Sequence, residues 1–168
     1  MTKARNNMSL SFRQVIEAYE QIHCKKIEIS RETKGFVQLW RACWPLKKTK
    51  TIEGAFHYEF LDMGNCITIE IHLEESQLAG LRSVLESWSC STLLINHILD
   101  ADNIYWDSEW FSRKKGGRLV AEYYESDAEH IAQAMNRLIF ATEYFVTNWL
   151  KSKNLLISDC DQINLSTP

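Results

Sequence analysis

The chain has 168 residues and a mass of 19.6 kDa, which suits one domain and is too short for two. Hydrophobic residues make up 45% of it, charged residues 24% and aromatic residues 11%, so it is not a disordered, collagen-like or low-complexity chain. With 19 basic and 22 acidic residues the net charge is −3, which argues against nucleic-acid binding through overall charge.

The first part of the chain predicts a helix followed by two strands. Apolar residues recur at three- and four-residue spacings over 11–23, which indicates an amphipathic helix with Ser11 as its N-cap. From Ile27 the period becomes two, which indicates a short strand. A long strand is then expected over 36–44. It should end there, because Pro45 has no N–H to donate to a strand ladder.

Residues 54–61 and 66–73 predict a β-hairpin, closed by the turn residues 62–65. Symmetric closure of this turn gives apolar pairs on one face: Phe60 with Ile67, Tyr58 with Ile69 and Phe56 with Ile71. On the opposite face it pairs Glu59 with Thr68, His57 with Glu70 and Ala55 with His72, and five of these six residues are polar. The segregation of apolar and polar residues supports a strand pair with one buried face.

The second half of the chain predicts a helix that begins at 74–76 and fades at 89–91, strands at 103–111 and 118–124, and a long helix from the capping box Ser126–Glu129. Residues 92–99 are apolar and fit neither kind of element clearly. The sequence does not decide whether the last two strands join the first group in one sheet.

Adjacent strands with segregated helices indicate an α+β fold. We expect an antiparallel sheet, made of a four-strand meander and a second strand pair, packed by N-terminal, central and long C-terminal helices. The predicted domain covers 11–152, after a flexible N-terminus at 1–10 and before a polar tail at 153–168 that frays.

The sequence predicts a cytoplasmic protein with reduced cysteines. The N-terminus lacks the apolar segment of a secretory signal, and no apolar run approaches the roughly 20 residues that span a bilayer. No membrane contact is therefore expected. Five cysteines, an odd number without any C-x-x-C pair, fit neither a disulfide framework nor a zinc ribbon.

The polar face of the predicted hairpin is a candidate site for a metal or for acid–base chemistry. His57, Glu70 and His72 lie within reach of one another there, and two imidazoles with a carboxylate are a common ligand set for divalent metals. Glu59 on the same face could add acid–base function. The alternative is a solvent-facing sheet surface on which His57 and Glu70 form a cross-strand pair.

Asp62 and Glu70-Ile71-His72 also have the outline of the D…E-x-K core of metal-dependent nucleases. In such a hydrolase the candidate catalytic residues are Glu59, Asp62 and Glu70. His72 stands where those enzymes have lysine, so the fixed cation is missing and this activity is in doubt.

The succession of the hairpin strands, a helix, Ile104-Tyr-Trp, and Asp127-Ala-Glu through Met135 resembles small α+β domains of unknown function found beside bacterial restriction and defence genes. The resemblance covers about residues 54–150. It implies a bacterial, phage or mobile-element setting, no established reaction, and no catalytic residues to carry over.

Aromatic residues are the second candidate feature, with six tryptophans and six tyrosines in the chain. One sheet face, on which Trp40 and Trp44 are expected together, would hold an apolar ligand or a partner protein. Its members are Trp40, Trp44, Tyr58, Trp106 and Trp110. The alternative is that these rings form the ordinary core between the sheet and the helices.

These features give three hypotheses, and the sequence leaves open whether the protein is an enzyme. The first is a non-enzymatic interaction or ligand-binding module that needs no cofactor, acts through an aromatic-rich sheet or helix face, and forms a homodimer or binds another protein. The second is a metal-dependent enzyme at the hairpin, with a divalent metal as cofactor. The third is nucleic-acid binding by the basic loops 47–50 and 113–118, which the acidic composition disfavours.

Overall fold

The computed structural model describes residues 11–23, 27–47, 50–110 and 112–160, without the side chains of 50–53, 92 and 114. Four α-helices occur in these ranges: α1 (Phe12–Ile22), α2 (Ala79–Ser89), α3 (Thr92–Leu99) and α4 (Ala128–Ser152). Six strands form the main sheet: β1 (Glu28–Glu32), β2 (Phe36–Trp40), β5 (Phe56–Asp62), β6 (Ile67–Leu73), β7 (Asn103–Asp107) and β8 (Gly117–Tyr123). A separate two-stranded sheet consists of β3 (Leu46–Lys47) and β4 (Lys50–Gly54).

The main sheet has the strand order β1-β2-β5-β6-β8-β7, and every neighbouring pair is antiparallel. This confirms the predicted α+β class. β6 pairs with β8 from Ile67 opposite Tyr123 to Leu73 opposite Gly117, which joins the two strand groups in one sheet. The small β3–β4 sheet was not predicted, because its residues 47–50 have the composition of a basic loop.

The β5–β6 hairpin pairs two residues away from the predicted register. Phe60 lies opposite Ile69, and His57 lies opposite His72. The reason is that β5 continues to Asp62, whose carboxylate Oδ1 accepts the Gly64 N–H at 2.8 Å within the turn. Because the shift is an even number of residues, every side chain keeps its predicted face of the sheet.

The core lies between the apolar face of the sheet and the helices α1 and α4, which pack against each other. On α4, Thr147 accepts the indole N–H of Trp44 at 3.0 Å, and the hydroxyl of Thr142 lies 2.8 Å from that of Tyr58. Tyr19 of α1 packs edge-on against Phe60, with the ring centroids 5.2 Å apart. These contacts fix both helices over β5.

β2 is shorter than predicted, since it ends at Trp40 and the chain then turns. The Trp44 N–H donates to the carbonyl of Arg41 at 2.9 Å, and the indole of Trp44 is fully buried against Phe56. The expectation that Trp40 and Trp44 share a face is therefore wrong, because strand alternation does not extend through a turn.

The cysteines correct a second prediction. Cys43 and Cys160 form a disulfide, whereas Cys66 and Cys90 are free. Cys43 and Cys160 are 117 residues apart in the sequence, which explains why the spacing of the cysteines did not predict the bond. The bond also holds the segment after α4, where Ile157 N–H donates to the carbonyl of Cys43 at 3.0 Å. Residues 153–160 thus dock on the domain and do not fray, while 1–10 and 161–168 lie outside the described part of the chain.

The helix starts were predicted in part. Ser11 is the N-cap of α1, and its backbone N–H donates to Oε1 of Gln14 at 3.3 Å, as in a capping box. At α4 the N-cap is Asp127, one residue after the predicted Ser126, and its Oδ1 accepts the His130 N–H at 2.8 Å. The apolar residues 92–99 form α3. None of the helices in the described ranges has both the length and the apolar character needed to cross a bilayer.

Candidate functional site

The polar face of the central strands is buried. Five ionisable residues there, which we call the polar cluster, are at most 7% exposed: His57, Glu59, Glu70, His72 and Glu74. The solvent-facing surface that the sequence left as an alternative is therefore not what the fold builds. Because a buried charge is costly unless it is paired, the partners of each group decide what the cluster can do.

His72 is held between two carboxylates. Its Nε2 donates to Oε2 of Glu70 at 2.6 Å, and its Nδ1 lies 3.2 Å from Oε1 of Glu74. Burial alone would lower the pKa of His72, but hydrogen bonds to these two carboxylates raise it to about 9. His72 is consequently an imidazolium at neutral pH.

His57 lies directly opposite His72, and only one of its two ring nitrogens is hydrogen-bonded among the described residues. Its Nδ1–H donates to the carbonyl of Gly54 at 2.9 Å, which directs Nε2 into the cluster. Nε2 lies 3.5 Å from Oε2 of Glu59 and 3.9 Å from Oε1 of Glu74 and makes no hydrogen bond within the described structure. A fully buried ring nitrogen thus points at carboxylates without a regular bond to them.

The three glutamates of the cluster are ionised. Burial alone would raise the pKa of Glu70, but the hydrogen bond and charge of His72, with Thr68, lower it below its ordinary value. The pKa of Glu59 is also lowered against the effect of burial, by the neighbouring imidazoles of His57 and His72.

Glu74 lies between His72 and Lys47. Burial opposes its ionisation, but the hydrogen bond from His72, the charge of His57 and the ion pair with Lys47 lower the pKa of Glu74 to about 2. Lys47 belongs to β3, so the small sheet contributes a cation to the cluster. Sequence reasoning had placed Lys47 in a basic loop and Glu74 at a helix start.

Arg118 completes the cluster from β8. Its guanidinium donates to Oε2 of Glu70 at 3.0 Å and to Oδ2 of Asp107 at 3.1 Å, and it lies 4.1 Å from the ring of Trp110. The Trp110 ring is also 5.4 Å from that of His72. In the sequence Arg118 stands at the end of the predicted basic loop 113–118 and at the start of a predicted strand, and neither feature predicts this role.

The structure brings together a different metal-ligand set from the predicted His57, Glu70 and His72. Donor atoms of His57, Glu59 and His72 all lie within 4.8 Å of one another. Glu70 is on the far side of His72, where Thr68 donates to it at 2.6 Å. The two-residue register shift explains the exchange, since it places Glu59 opposite Glu70 and aligns the two histidines.

Asp62 does not join the other nuclease-like residues. It shares its face of β5 with Phe60, whereas Glu59 and Glu70 lie on the opposite face. Asp62 is also exposed at the end of the strand, where it holds the turn through Gly64. The D…E-x-K outline is therefore not assembled in three dimensions.

The five aromatic residues expected on one face are divided between two. Trp44 and Tyr58 belong to the core, and Trp106 packs on Gly117 on the apolar side of the sheet. Trp40 packs on Gly54, and Trp110 covers Arg118, both on the polar side. No common aromatic face is formed by these five side chains.

The two basic loops lose charge to internal ion pairs. Lys47 pairs with Glu74, and Arg118 with Glu70 and Asp107, while Arg113 and Lys115 are exposed. Residues 48 and 49, and the side chains of 50 and 114, are outside the described structure. The pairs reduce the charge available for phosphate contacts.

A second surface was missed by sequence reasoning. On α4, Phe140 and Tyr144 are 89% and 76% exposed, and on α3 Leu93 is 87% exposed and Leu94 is half-exposed. We call these four residues the α3–α4 face. A groove of about 340 Å³ between the helices adjoins it, lined by Ile98, Ala141 and Phe140 among others. The α3–α4 face had one signal in the sequence: Phe140 and Tyr144 are aromatic residues four positions apart, outside the buried stripe of the last predicted helix.

No family model, curated protein or solved structure matches this chain. The predicted resemblance to domains of defence loci thus stays a prediction. The polar cluster and the α3–α4 face are the two features of the described structure on which a function can be argued.

Proposed function

We propose that this domain is a protein-interaction module that self-associates through the α3–α4 face. The observation that carries the proposal is the exposure of Phe140 and Tyr144, two large aromatic side chains four residues apart on the same side of α4. Leu93 of α3, a helix that contacts α4, is also exposed. Single exposed apolar residues are ordinary, whereas neighbouring ones are typical of a binding surface. Phenylalanine and tyrosine are also enriched at the centres of protein interfaces.

The position of Phe140 favours a symmetric pair of chains. α4 runs from Ala128 to Ser152, so Phe140 stands at its midpoint. Two copies of α4 packed antiparallel across a two-fold axis would bring Phe140 against Phe140 of the second copy. The neighbouring groove would then accept Tyr144 or Leu93 of the other chain. One self-complementary patch is sufficient for such an interface, and no cofactor is needed.

Mass in solution tests this proposal. We expect the wild-type protein to show about twice the monomer mass in light scattering after size-exclusion chromatography. Phe140→Glu should give the monomer, because it places a charge at the centre of the contact. Glutamate is a good helix former, so α4 should stay intact. Met63→Glu is the matched control, since Met63 is exposed in the turn of the β5–β6 hairpin and belongs to neither α3 nor α4.

A wild-type protein that stays monomeric at all concentrations contradicts self-association. Dissociation by Met63→Glu as well as by Phe140→Glu would place the contact elsewhere. If the wild type is monomeric, the remaining interaction hypothesis is that a different protein binds the α3–α4 face, and Phe140→Glu should then fail to bind that partner.

The proposal includes the bacterial, phage or mobile-element setting that the sequence resemblance implies. The cytoplasmic location predicted from the N-terminus and the cysteine pattern is disfavoured by the Cys43–Cys160 disulfide, because disulfides are rare in reducing compartments. A hydrolase or nuclease-like activity is less well supported, because the polar cluster is buried and Asp62 lies on the other face of the sheet. Nucleic-acid binding is the least supported, given the internal ion pairs of the basic loops.

A further inference from the structure

We propose that the polar cluster contains a binding site for a divalent first-row transition metal such as Zn²⁺, with His57, Glu59 and His72 as its protein ligands. The site is independent of the proposed self-association, because it lies on the face of the sheet opposite α4. Either proposal can therefore fail without affecting the other.

The orientation of His57 is the first argument. The Nδ1–H bond to the carbonyl of Gly54 fixes the ring so that Nε2 points into the cluster. This nitrogen is fully buried and has no hydrogen bond in the described structure. A buried polar nitrogen without a partner is costly, and coordination of a metal ion by Nε2 would satisfy it. The contact with Gly54 is the outer-shell hydrogen bond that metal-binding histidines usually make.

The distances between donor atoms are the second argument. Two ligand atoms that are each about 2.1 Å from a tetrahedral zinc ion are about 3.4 Å apart. Nε2 of His57 lies 3.5 Å from Oε2 of Glu59. All three donor atoms lie within 4.8 Å of one another, so small side-chain movements are sufficient for all three to coordinate one ion. Strands β5 and β6, in the middle of the sheet, hold these residues rigidly.

Coordination would use one ring nitrogen of His72. Both nitrogens now bond to carboxylates, Nε2 to Glu70 and Nδ1 to Glu74. The coordinating nitrogen exchanges its carboxylate partner for the ion, and it must carry no proton to do so. The other nitrogen keeps its carboxylate partner. Gln38, which donates to Oε2 of Glu59 at 3.0 Å, holds the third ligand in place.

The donor set selects the class of metal. Two imidazoles and one carboxylate suit Zn²⁺, Co²⁺ or Fe²⁺ and leave a coordination position open, whereas Mg²⁺ and Ca²⁺ prefer oxygen ligands alone. Thiolates take no part in the proposed site, which is made of histidine and glutamate only. The Co²⁺ form should therefore lack a thiolate charge-transfer band.

The test is Co²⁺ and Zn²⁺ uptake by the full chain after treatment with a chelator. Because the cluster is buried, each metal is offered both to the folded protein and during refolding from denaturant. We expect one ion per chain after dialysis, a visible Co²⁺ spectrum of low-symmetry type, and a raised Tm. Mg²⁺ at the same concentration should have no effect.

The decisive variant is His57→Asn. The asparagine amide can still donate to the carbonyl of Gly54, but no atom replaces Nε2, so metal uptake should be lost. An unchanged circular dichroism spectrum in chelator shows that the variant folds. If His57→Asn does not fold, Glu59→Gln gives the same test, because it alters a second proposed ligand on β5. His97→Gln is the matched control, since His97 is exposed on α3, and it should bind like the wild type.

The proposal is overturned if neither metal is retained under either loading condition. It is also overturned if folded His57→Asn or Glu59→Gln retains the ion, or if His97→Gln loses it. A thiolate charge-transfer band in the Co²⁺ form would place the ion on cysteine and would equally reject the site.

Discussion

His57 and His72 lie directly opposite each other on β5 and β6, with ring centroids 4.8 Å apart, yet they carry different hydrogen bonds. Both nitrogens of His72 are bonded to carboxylates, whereas His57 is bonded only through Nδ1. One histidine is thus a buried cation, and the other offers an unsatisfied nitrogen. The pair is close enough for a single ion to contact both rings.

The metal-free protein should lose stability as the pH rises from 6.5 to about 9. The pKa of His72 is raised from 6.5 to about 9 by its bonds to Glu70 and Glu74, so in this range the folded chain holds a proton that the unfolded chain has lost. The unfolding free energy should fall by on the order of 3 kcal/mol across the window. Urea unfolding in chelator at several pH values measures it.

His72→Gln should remove this fall in the unfolding free energy between pH 6.5 and about 9, whereas His97→Gln should retain it. On the acid side the sign is reversed, because the pKa of Glu74 is lowered to about 2. Its contribution to stability is therefore present above pH 4.5 and is lost as the pH falls toward 2. Equal slopes between pH 6.5 and 9 in the wild type and His72→Gln would contradict the ion-pair geometry.

Gly54 should not tolerate a side chain. A Cβ there would lie 2.8 Å from the carbonyl oxygen of Phe56 and 3.2 Å from the Trp40 ring, so the backbone beside His57 must shift. Gly54→Ala should lower the unfolding free energy by about 1 to 3 kcal/mol. Gly35→Ala is the control, since no atom lies within 4 Å of its Cβ position, and its effect should stay below about 0.5 kcal/mol. Equal effects in denaturant melts would contradict this close packing.

The Cys43–Cys160 disulfide should be a major source of stability. It closes a loop of 117 residues, for which chain entropy gives about 4 to 5 kcal/mol. Cys160→Ser, or a reducing agent, should lower the unfolding free energy by up to this amount and expose 153–160 to protease. Cys90→Ser, at an exposed free cysteine, should have little effect.

Thiol counting gives an independent check of the same bond. The denatured, unreduced protein should take up two fewer alkyl groups than the reduced protein. Equal labelling before and after reduction would show that the cysteines are reduced, as the sequence had suggested.

The start of α4 offers a matched pair of variants. Asp127→Ala removes the carboxylate that accepts the His130 N–H and should cost about 1 kcal/mol. Ser126→Ala changes the residue that the sequence pattern favoured as the cap and should cost much less. Thermal melts of the two variants compare them directly, and a larger effect at Ser126 would contradict the observed cap.

Local pattern was sufficient for most of the elements and for the faces of the central hairpin. Alternation places His57 and Glu59 on the polar side of β5 whatever the register, because an even shift leaves each residue on its face. Helical spacing likewise located α1 and α4. Each of these inferences depends on residues that are neighbours in the chain, which is why they held.

Contacts between distant segments were not accessible in this way. The hydrogen bond of Asp62 in the turn set the register, and with it the exchange of Glu70 for Glu59 beside the two histidines. The burial of the polar cluster depends on Lys47 from β3 and on Arg118 and Trp110 near β8. The sequence by itself determined the class of fold and the chemistry available on β5 and β6. Only tertiary packing decided which groups meet and whether water reaches them, because pairing and burial are properties of residues brought together from across the chain.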